Sequence, residues 1–387
     1  MTRRQERRAR LLRWAGCVAA GGAAGVVTGG WWGLVPAVLG LAIGHRAMIA
    51  APGVAVLTYH SVSPDARWLP WSREITVHPD TLATHLAVLA RIGATVIGTR
   101  EWVRRRAGGE AMPERAVVLH FDDGYRDNHV HAAPLLRAAG MTATVFASLD
   151  FVDPAGGVRS DGVDHGYMTW DELADLEAQG IEVEPHGVAH ARVPVSDAAE
   201  DVLTATNWRR HAWLQWDATP GPKHDWYARD VPVAVPLGAP VPRSGLALAA
   251  RAWRDGAHET AEVLSRRIEE DLAACQMAFA ARLRRMPQIF CWPENVVGVE
   301  GRAIARRLGY RGTTAGRGRN TADEPADVIS RVHVGDRAIG VRWQAAEALA
   351  FRAQVRLMQG NHYWYLVLAP MNALRRVVFA LRRDPFA

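Results

Sequence analysis

Ala116-Val117-Val118-Leu119-His120-Phe121-Asp122-Asp123-Gly124-Tyr125 runs from an apolar strand straight into an acid pair and a turn glycine. A second stretch ends the same way. Ile181-Glu182-Val183-Glu184 reads as a strand and leads into His186-Gly187-Val188-Ala189-His190. If the two strands are parallel members of one sheet, the acid pair and the histidine pair emerge at the same sheet edge. One carboxylate and two imidazoles suit a first-row divalent ion, and a second carboxylate stands beside it.

The flanking pattern supplies such a sheet. Residues 54–59 read as a first strand. Pro79-Asp80 opens a helix in which Leu82, Leu86, Leu89 and Ile92 recur at helical spacing, and Gly93 stops it. Thr95–Ile97 is a short strand and 116–121 the next. A helix from about Asn128 to Ala139 leads to a strand at 142–146. Thr169 and Glu172 form a capping box for a helix to Gln179, before the strand at 181–185. Strands alternating with helices predict a parallel sheet covered by helices, as a barrel or a doubly wound sheet. From Ala191 to about 258 the pattern breaks into an irregular stretch rich in proline and tryptophan (Trp208, Trp213, Trp216, Trp226, Trp253), read as a long insertion whose tryptophans either shape a binding groove or fill a core or membrane interface. A helix from about Glu259 to Arg285, a strand at 288–292, a helix near 301–308 and a strand at 328–334 follow. Residues 341–387 form a basic tail of helical pattern with Arg375, Arg376, Arg382 and Arg383.

The chain has 387 residues and is 49% apolar, enough for a large catalytic domain plus extra segments. Its net charge of +6 comes from arginine, with Lys223 the single lysine. The positive excess sits at the two ends rather than in a central stripe, so nucleic acid is not an expected partner. The three cysteines, Cys17, Cys275 and Cys291, make neither a disulfide framework nor a zinc ribbon.

Residues 1–13 are basic, with Arg3, Arg4, Arg7, Arg8, Arg10 and Arg13. The 31 residues from Trp14 to Gly44 carry no charge. A bilayer needs about 20 apolar residues, so 14–44 is expected as one membrane-spanning anchor. Gly29-Gly30 and Pro36 would permit a hairpin, but the run is short for two full spans. The positive-inside rule keeps the arginines in the cytoplasm, and a single span then places everything after about residue 50 on the extracytoplasmic side.

Asp-Asp-Gly alone is an ordinary turn signal, and His-x-x-x-His alone is often a surface pair. Nor is this the His-Glu-x-x-His motif, because Gly187 stands where the glutamate would be. Together, each after a predicted strand, they specify far more. A metal lowers the pKa of a bound water, and a neighbouring carboxylate takes its proton. The same triad could hold iron(II) for oxygen chemistry; the spare Asp122 points to hydrolysis instead.

Phe121-Asp122-Asp123-Gly124-Tyr125 followed by His186-x-x-x-His190 resembles the polysaccharide deacetylases of the NodB-homology type, carbohydrate esterase family 4. The opening strand Leu57-Thr58-Tyr59-His60-Ser61-Val62-Ser63, the helix from Pro79 to Gly93 and the segment Thr169-Trp170-Asp171-Glu172-Leu173 resemble it too. The branch that deacetylates poly-N-acetylglucosamine and related exopolysaccharides is nearest. The resemblance implies an α/β fold, a distorted (β/α) barrel over residues 52–340, with an insertion at about 191–258. It implies Asp122 as catalytic base; Asp123, His186 and His190 as metal ligands; zinc as the metal, with cobalt or nickel also suited; and the Tyr125 backbone N–H as oxyanion donor. The implied substrate is an N-acetylated polysaccharide of the envelope or extracellular matrix.

The chain departs from that pattern. Gly187 replaces a usual Ser or Thr, and His120 a usual Thr. The family's Arg-x-Pro-Tyr motif survives only as Phe290-Cys291-Trp292-Pro293-Glu294-Asn295, in which Pro293 fits a substrate-side position. His333 is the candidate for the family's late general-acid histidine. An O-acetyl glycan esterase, or an eroded glycan-binding scaffold, are the alternatives.

Overall fold

The computed structural model describes residues 3–381. Arg382 and Arg383, part of the basic tail read from the sequence, lie outside the described residues. At the N-terminus α1 (Arg3–Thr28) and α2 (Leu34–Met48) run antiparallel. They turn at Gly29 and Gly30, both with positive φ, and at the short 3-10 turn Trp31–Gly33. Only glycine adopts two successive left-handed residues at no steric cost, so the chain reverses there. The anchor expected over 14–44 as one span is therefore corrected: it is a helical hairpin. The Arg3 guanidinium donates to the carbonyl oxygens of Gly318 and Arg331 at 2.7 Å each, so the N-terminus sits against the domain.

The domain opens with β1 (Ala55–Tyr59), the single helical turn α3 (Ser72–Ile75), and α4 (Pro79–Arg91). Proline at the first turn and the His78 side chain, which accepts from the Asp80 N–H at 3.1 Å, start α4. Its Leu82, Leu86 and Leu89 are buried, as the spacing requires. Then come β2 (Thr95–Val96), α5 (Thr99–Ala107), β3 (Ala116–Phe121), α6 (Ala133–Ala138), β4 (Thr144–Ala147), α7 (Trp170–Ala178) and β5 (Glu182–Pro185). The capping box of α7 is present: the Thr169 hydroxyl accepts from Glu172 N–H, and Glu172 Oε2 accepts from Thr169 N–H, both at 3.0 Å.

The insertion is more ordered than its composition suggests. β6 (Arg192–Val202) and β7 (Pro240–Leu246) form a long antiparallel ribbon, with α8 (Trp213–Ala218) between them; a small hairpin of β8 (Trp253–Arg254) and β9 (Ala257–His258) follows. The domain ends with α9 (Ala261–Leu283), β10 (Ile289–Phe290), α10 (Val299–Arg307), β11 (Gly312–Gly316), β12 (Val328–Ser330), β13 (Val332–His333), α11 (Gln344–Met358) and α12 (Tyr365–Leu381).

Strands β13-β1-β3-β4-β5 form one parallel sheet with β2 beside β3, and β10-β11-β12 form a second. β1 and β3 are buried along their whole length, which is why they read as unbroken apolar runs. Two seams join the sheets. At one, Cys291 N–H donates to Pro185 O at 3.0 Å. The buried Glu184 carboxylate reinforces it by accepting from the N–H groups of Gln288 and Ile289 at 2.9 and 3.1 Å, and from Arg100 at 2.6 Å. At the other, the strand expected at 328–334 is split at Arg331, so β12 serves one sheet and β13 the other. Every strand of the two sheets points the same way, so all their carboxyl ends open at one end of the domain.

Candidate active site

Asp122 follows the last residue of β3, with its N–H bonded to Tyr59 O at 3.0 Å. Asp123 and Gly124 then take left-handed conformations (φ 73 and 75). An aspartate tolerates this better than most residues, and the double reversal sets the two carboxylates in different surroundings.

Asp123 faces the histidines. Its Oδ1 lies 3.3 Å from His186 Nε2 and 3.8 Å from His190 Nε2. The His186 Nδ1–H donates to Cys291 O at 2.9 Å, which leaves Nε2 bare and aimed at Asp123. Asp123 Oδ1 is buried without a hydrogen-bond donor. A buried acceptor with no donor, facing two imidazole nitrogens, fits a divalent ion. The ligand atoms of Asp123, His186 and His190 all lie within 4.8 Å of one another, so the group could hold a metal; Asp122, His186 and Cys291 meet the same test.

Asp122 faces an arginine. One Arg331 nitrogen, Nη1, donates to both carboxylate oxygens at 2.7 and 2.8 Å. Burial disfavours the charge, but Arg331, with His186 and His60, outweighs it and holds the Asp122 carboxyl at about 2. Arg331 is itself steadied by Asn295, whose Oδ1 accepts from its Nε at 3.2 Å and from the Ala315 N–H at 2.6 Å. Asn295 thus supports Arg331, and through it Asp122, from behind.

The histidine loop is held by several bonds. Val188 N–H donates to both oxygens of Asp271 at 3.1 Å, and the Ser148 hydroxyl donates to His186 O at 3.1 Å. Gly187 has φ +80, and a Cβ there would stand 3.3 Å from Asp271 Oδ1. The missing Ser or Thr hydroxyl is the consequence of a backbone that favours glycine. His120, in place of the usual Thr, is buried within bonding distance of the Thr99 hydroxyl (2.9 Å), and burial with Arg331 pushes its pKa down to about 3.

These groups open into a cavity of about 680 Å³. Trp71, Tyr125, Phe151, Tyr167, Trp213 and Trp216 make its apolar wall; Arg192, Arg210, Glu74 and Glu294 stand on the polar side. Of the insertion tryptophans, Trp213 and Trp216 line the cavity; Trp216 is partly exposed, and Trp208, Trp213 and Trp226 are buried. Trp226 stacks on Trp71 at 5.6 Å and donates to the Tyr167 hydroxyl at 3.0 Å.

Of the remaining expected residues, Tyr125 lines the cavity. The bridge it makes with Tyr167 uses the amides of Arg126 and Met168, which leaves its own N–H outside that ladder. His333 lines the cavity too, but its Nε2–H donates to Glu74 O at 3.0 Å. His60 stands closer to Asp122, its Nε2 3.9 Å from Asp122 Oδ2 and its ring 5.2 Å from His333. Pro293 is corrected: it is buried at the start of the turn Pro293–Asn295 and is not part of the cavity wall, while Glu294 and Asn295 are. Arg331, His60, Asn295 and Asp271 were not legible as site residues. None belongs to a spaced motif; His60 alone had a signal, standing at a strand end in the resembling opening segment.

A parallel α/β sheet whose carboxyl ends carry an acid pair and a histidine pair defines a NodB-type domain. Residues 109–224 match the family model described as polysaccharide deacetylase. Among curated proteins it is similar to YxkH of Bacillus subtilis strain 168 (27% identical over 135 residues, 35% of this chain and 42% of that one). It is similar also to the poly-beta-1,6-N-acetyl-D-glucosamine N-deacetylase of Escherichia coli K12 (26% over 261 residues, 67% of this chain and 33% of that one). The chain thus spans less than half the length of either relative. Its fold is shared with a de-N-acetylase from Aggregatibacter actinomycetemcomitans (TM-score 0.52, 19% identity, 72% of this chain and 94% of that one). It is shared as well with the BpsB deacetylase domain from Bordetella bronchiseptica (TM-score 0.51, 18% identity, 74% and 97%).

Proposed function

We propose that this protein is a metal-dependent hydrolase that removes acetyl groups from N-acetylated sugars of an envelope or extracellular polysaccharide. The observation that carries the reading is the unequal division of the acid pair: Asp123 faces two imidazoles and Asp122 faces a guanidinium. The relative whose name specifies an N-deacetylase of an N-acetylglucosamine polymer supports the substrate class.

Asp123, His186 and His190 would hold the ion, zinc by family resemblance. Such an ion supplies a water of lowered pKa and polarises the amide carbonyl. Asp122, kept anionic by Arg331, takes the proton of the attacking water. The Tyr125 N–H donates to the developing oxyanion. The leaving amine takes the proton that Asp122 received from the water, with His60 beside Asp122 to relay it. Sugar rings stack on Trp71 and on the partly exposed Trp216, while buried Trp226 backs Trp71.

Acetate release from a panel of N-acetylated oligosaccharides, with and without chelator, tests this. Turnover should vanish with chelator and return with zinc. Asp123→Ala and His186→Ala should lose both metal and turnover, whereas Asp122→Asn should keep the metal and lose turnover. Metal-loaded protein that releases acetate from O-acetylated but not N-acetylated glycans would replace this reading with an esterase. Release from neither would replace it with a binding scaffold.

A further inference from the structure

The α1–α2 hairpin is built inside out compared with a soluble helix pair. Its inner seam is glycine: a Cβ on Gly21 would lie 2.6 Å from Pro36 O and 2.8 Å from Gly40 Cα, and one on Gly25 would lie 2.6 Å from Gly33 O. Its outside is apolar, with Val26, Val27, Val38, Leu39, Leu41 and Ile43 all more than half exposed. Close helix contact through small residues, with large apolar side chains turned outward, is the packing used where lipid surrounds the pair. The tip is uncharged, and Trp31 and Trp32 there are 87% and 80% exposed.

Charge lies only at the open end. Arg8, Arg13 and Arg46 are exposed at the hairpin base. That base is tied to the domain. Ala50 N–H donates to Gly360 O at 2.9 Å, His45 Nδ1 and the Tyr363 hydroxyl are 3.1 Å apart, and Arg3 reaches Arg331 O. From Trp14 to Thr28 α1 rises about 22 Å, less than the roughly 30 Å hydrocarbon thickness. The nearby α12 is also apolar; it packs on α11 through Leu368, while its Leu374, Val377 and Leu381 are exposed.

We propose that the hairpin enters the lipid bilayer tip first from the face on which the deacetylase-type domain sits, and turns back within it. Both its ends and the catalytic cavity then lie on one side of the membrane. All the flanking arginines are on that side and none at the tip, so the positive-inside rule makes it the cytoplasmic face. An acetylated glycan would meet this enzyme there, before export.

Cysteine labelling in spheroplasts tests the topology without depending on turnover. The full chain carrying Cys17→Ser would bear one further change at a time: Arg8→Cys, Val299→Cys or Trp31→Cys. Cys275 and Cys291 are buried and give little background. With a membrane-impermeant maleimide, Arg8→Cys and Val299→Cys should both stay unlabelled in intact spheroplasts and both react in inverted vesicles. Trp31→Cys should not react from the domain's side. Reaction of Val299→Cys alone in intact spheroplasts would restore a single span, and reaction of both would reverse the side. Labelling of Trp31→Cys from the domain's side, or extraction of the protein by carbonate, would overturn bilayer insertion.

Discussion

Arg331 decides how Asp122 behaves. The two side chains are fully buried and make a charge-assisted contact, so removing the arginine leaves an uncompensated carboxylate in the core. Arg331→Ala is expected to lower stability by about 3–5 kcal/mol in denaturant titration and to remove most turnover. Asn295→Ala, which only loosens the arginine, should cost about 1–2 kcal/mol and leave partial activity. Gly187 carries a second expectation at this scale. Gly187→Ser restores the residue the family usually has, yet φ +80 and the nearby Asp271 oppose a side chain there. The variant should lose about 1–2 kcal/mol, read as a lowered Tm, and should not gain activity. A serine variant as stable as the parent would refute the backbone explanation.

Among the elements, the seam between β5 and β10 is the one held chiefly by a side chain. Glu184 is fully buried and takes two backbone N–H groups and the Arg100 guanidinium on one carboxylate; burial pushes its pKa up, with Arg100 and Arg285 opposing. Glu184→Ala should cost about 3–5 kcal/mol. The amides of Gln288 and Ile289 should then exchange hydrogen far faster than those of β3, because only their shared acceptor has been removed. Uniform loss of protection across both sheets would contradict this local role. Elements differ in how plainly they announce themselves. β3 falls where its apolar run predicts, and α7 starts at its capping box. β11 was missed because Gly-Thr-Thr-Ala-Gly has no apolar alternation, and α5 because its arginines hide the buried Trp102 and Val103. The β6–β7 ribbon was hidden by its prolines, which mark turns more often than strands.

At the scale of the whole molecule, stability against pH sums groups far apart. Asp127 is fully buried; Ser61 donates to its Oδ2 at 2.6 Å, while Oδ1 has no partner. Burial pushes its pKa up to about 7. Between about pH 4 and 7 the folded state therefore holds a proton that the unfolded state has released, and stability contributed by this group falls as pH rises. Asp127→Asn removes that dependence. Relative to the parent it should gain stability as pH goes from about 4 to 7, by at most about 1.4 kcal/mol per pH unit, measured by denaturant titration across that window. A difference that stays flat with pH would show that Asp127 is ionised throughout.

What the sequence determined by itself is the part of the protein whose physics is local. The apolar runs of β1 and β3, the capping box of α7, and the ligand types after β3 and β5 follow from neighbours a few residues apart. The acid pair and the histidine pair were therefore legible. The tertiary structure alone decided the rest. Arg331 meets Asp122 across 209 residues, and no spacing rule links a lone arginine in a strand to an acid so distant. The same holds for Asn295 behind Arg331 and for His60 beside His333. The hairpin was decided at the same level. A charge-free run of 31 residues fits one span or two short helices equally well by composition. Gly21 and Gly25 closing on Gly40 and Gly33, with Arg3 bound to the domain, turn the chain back on itself.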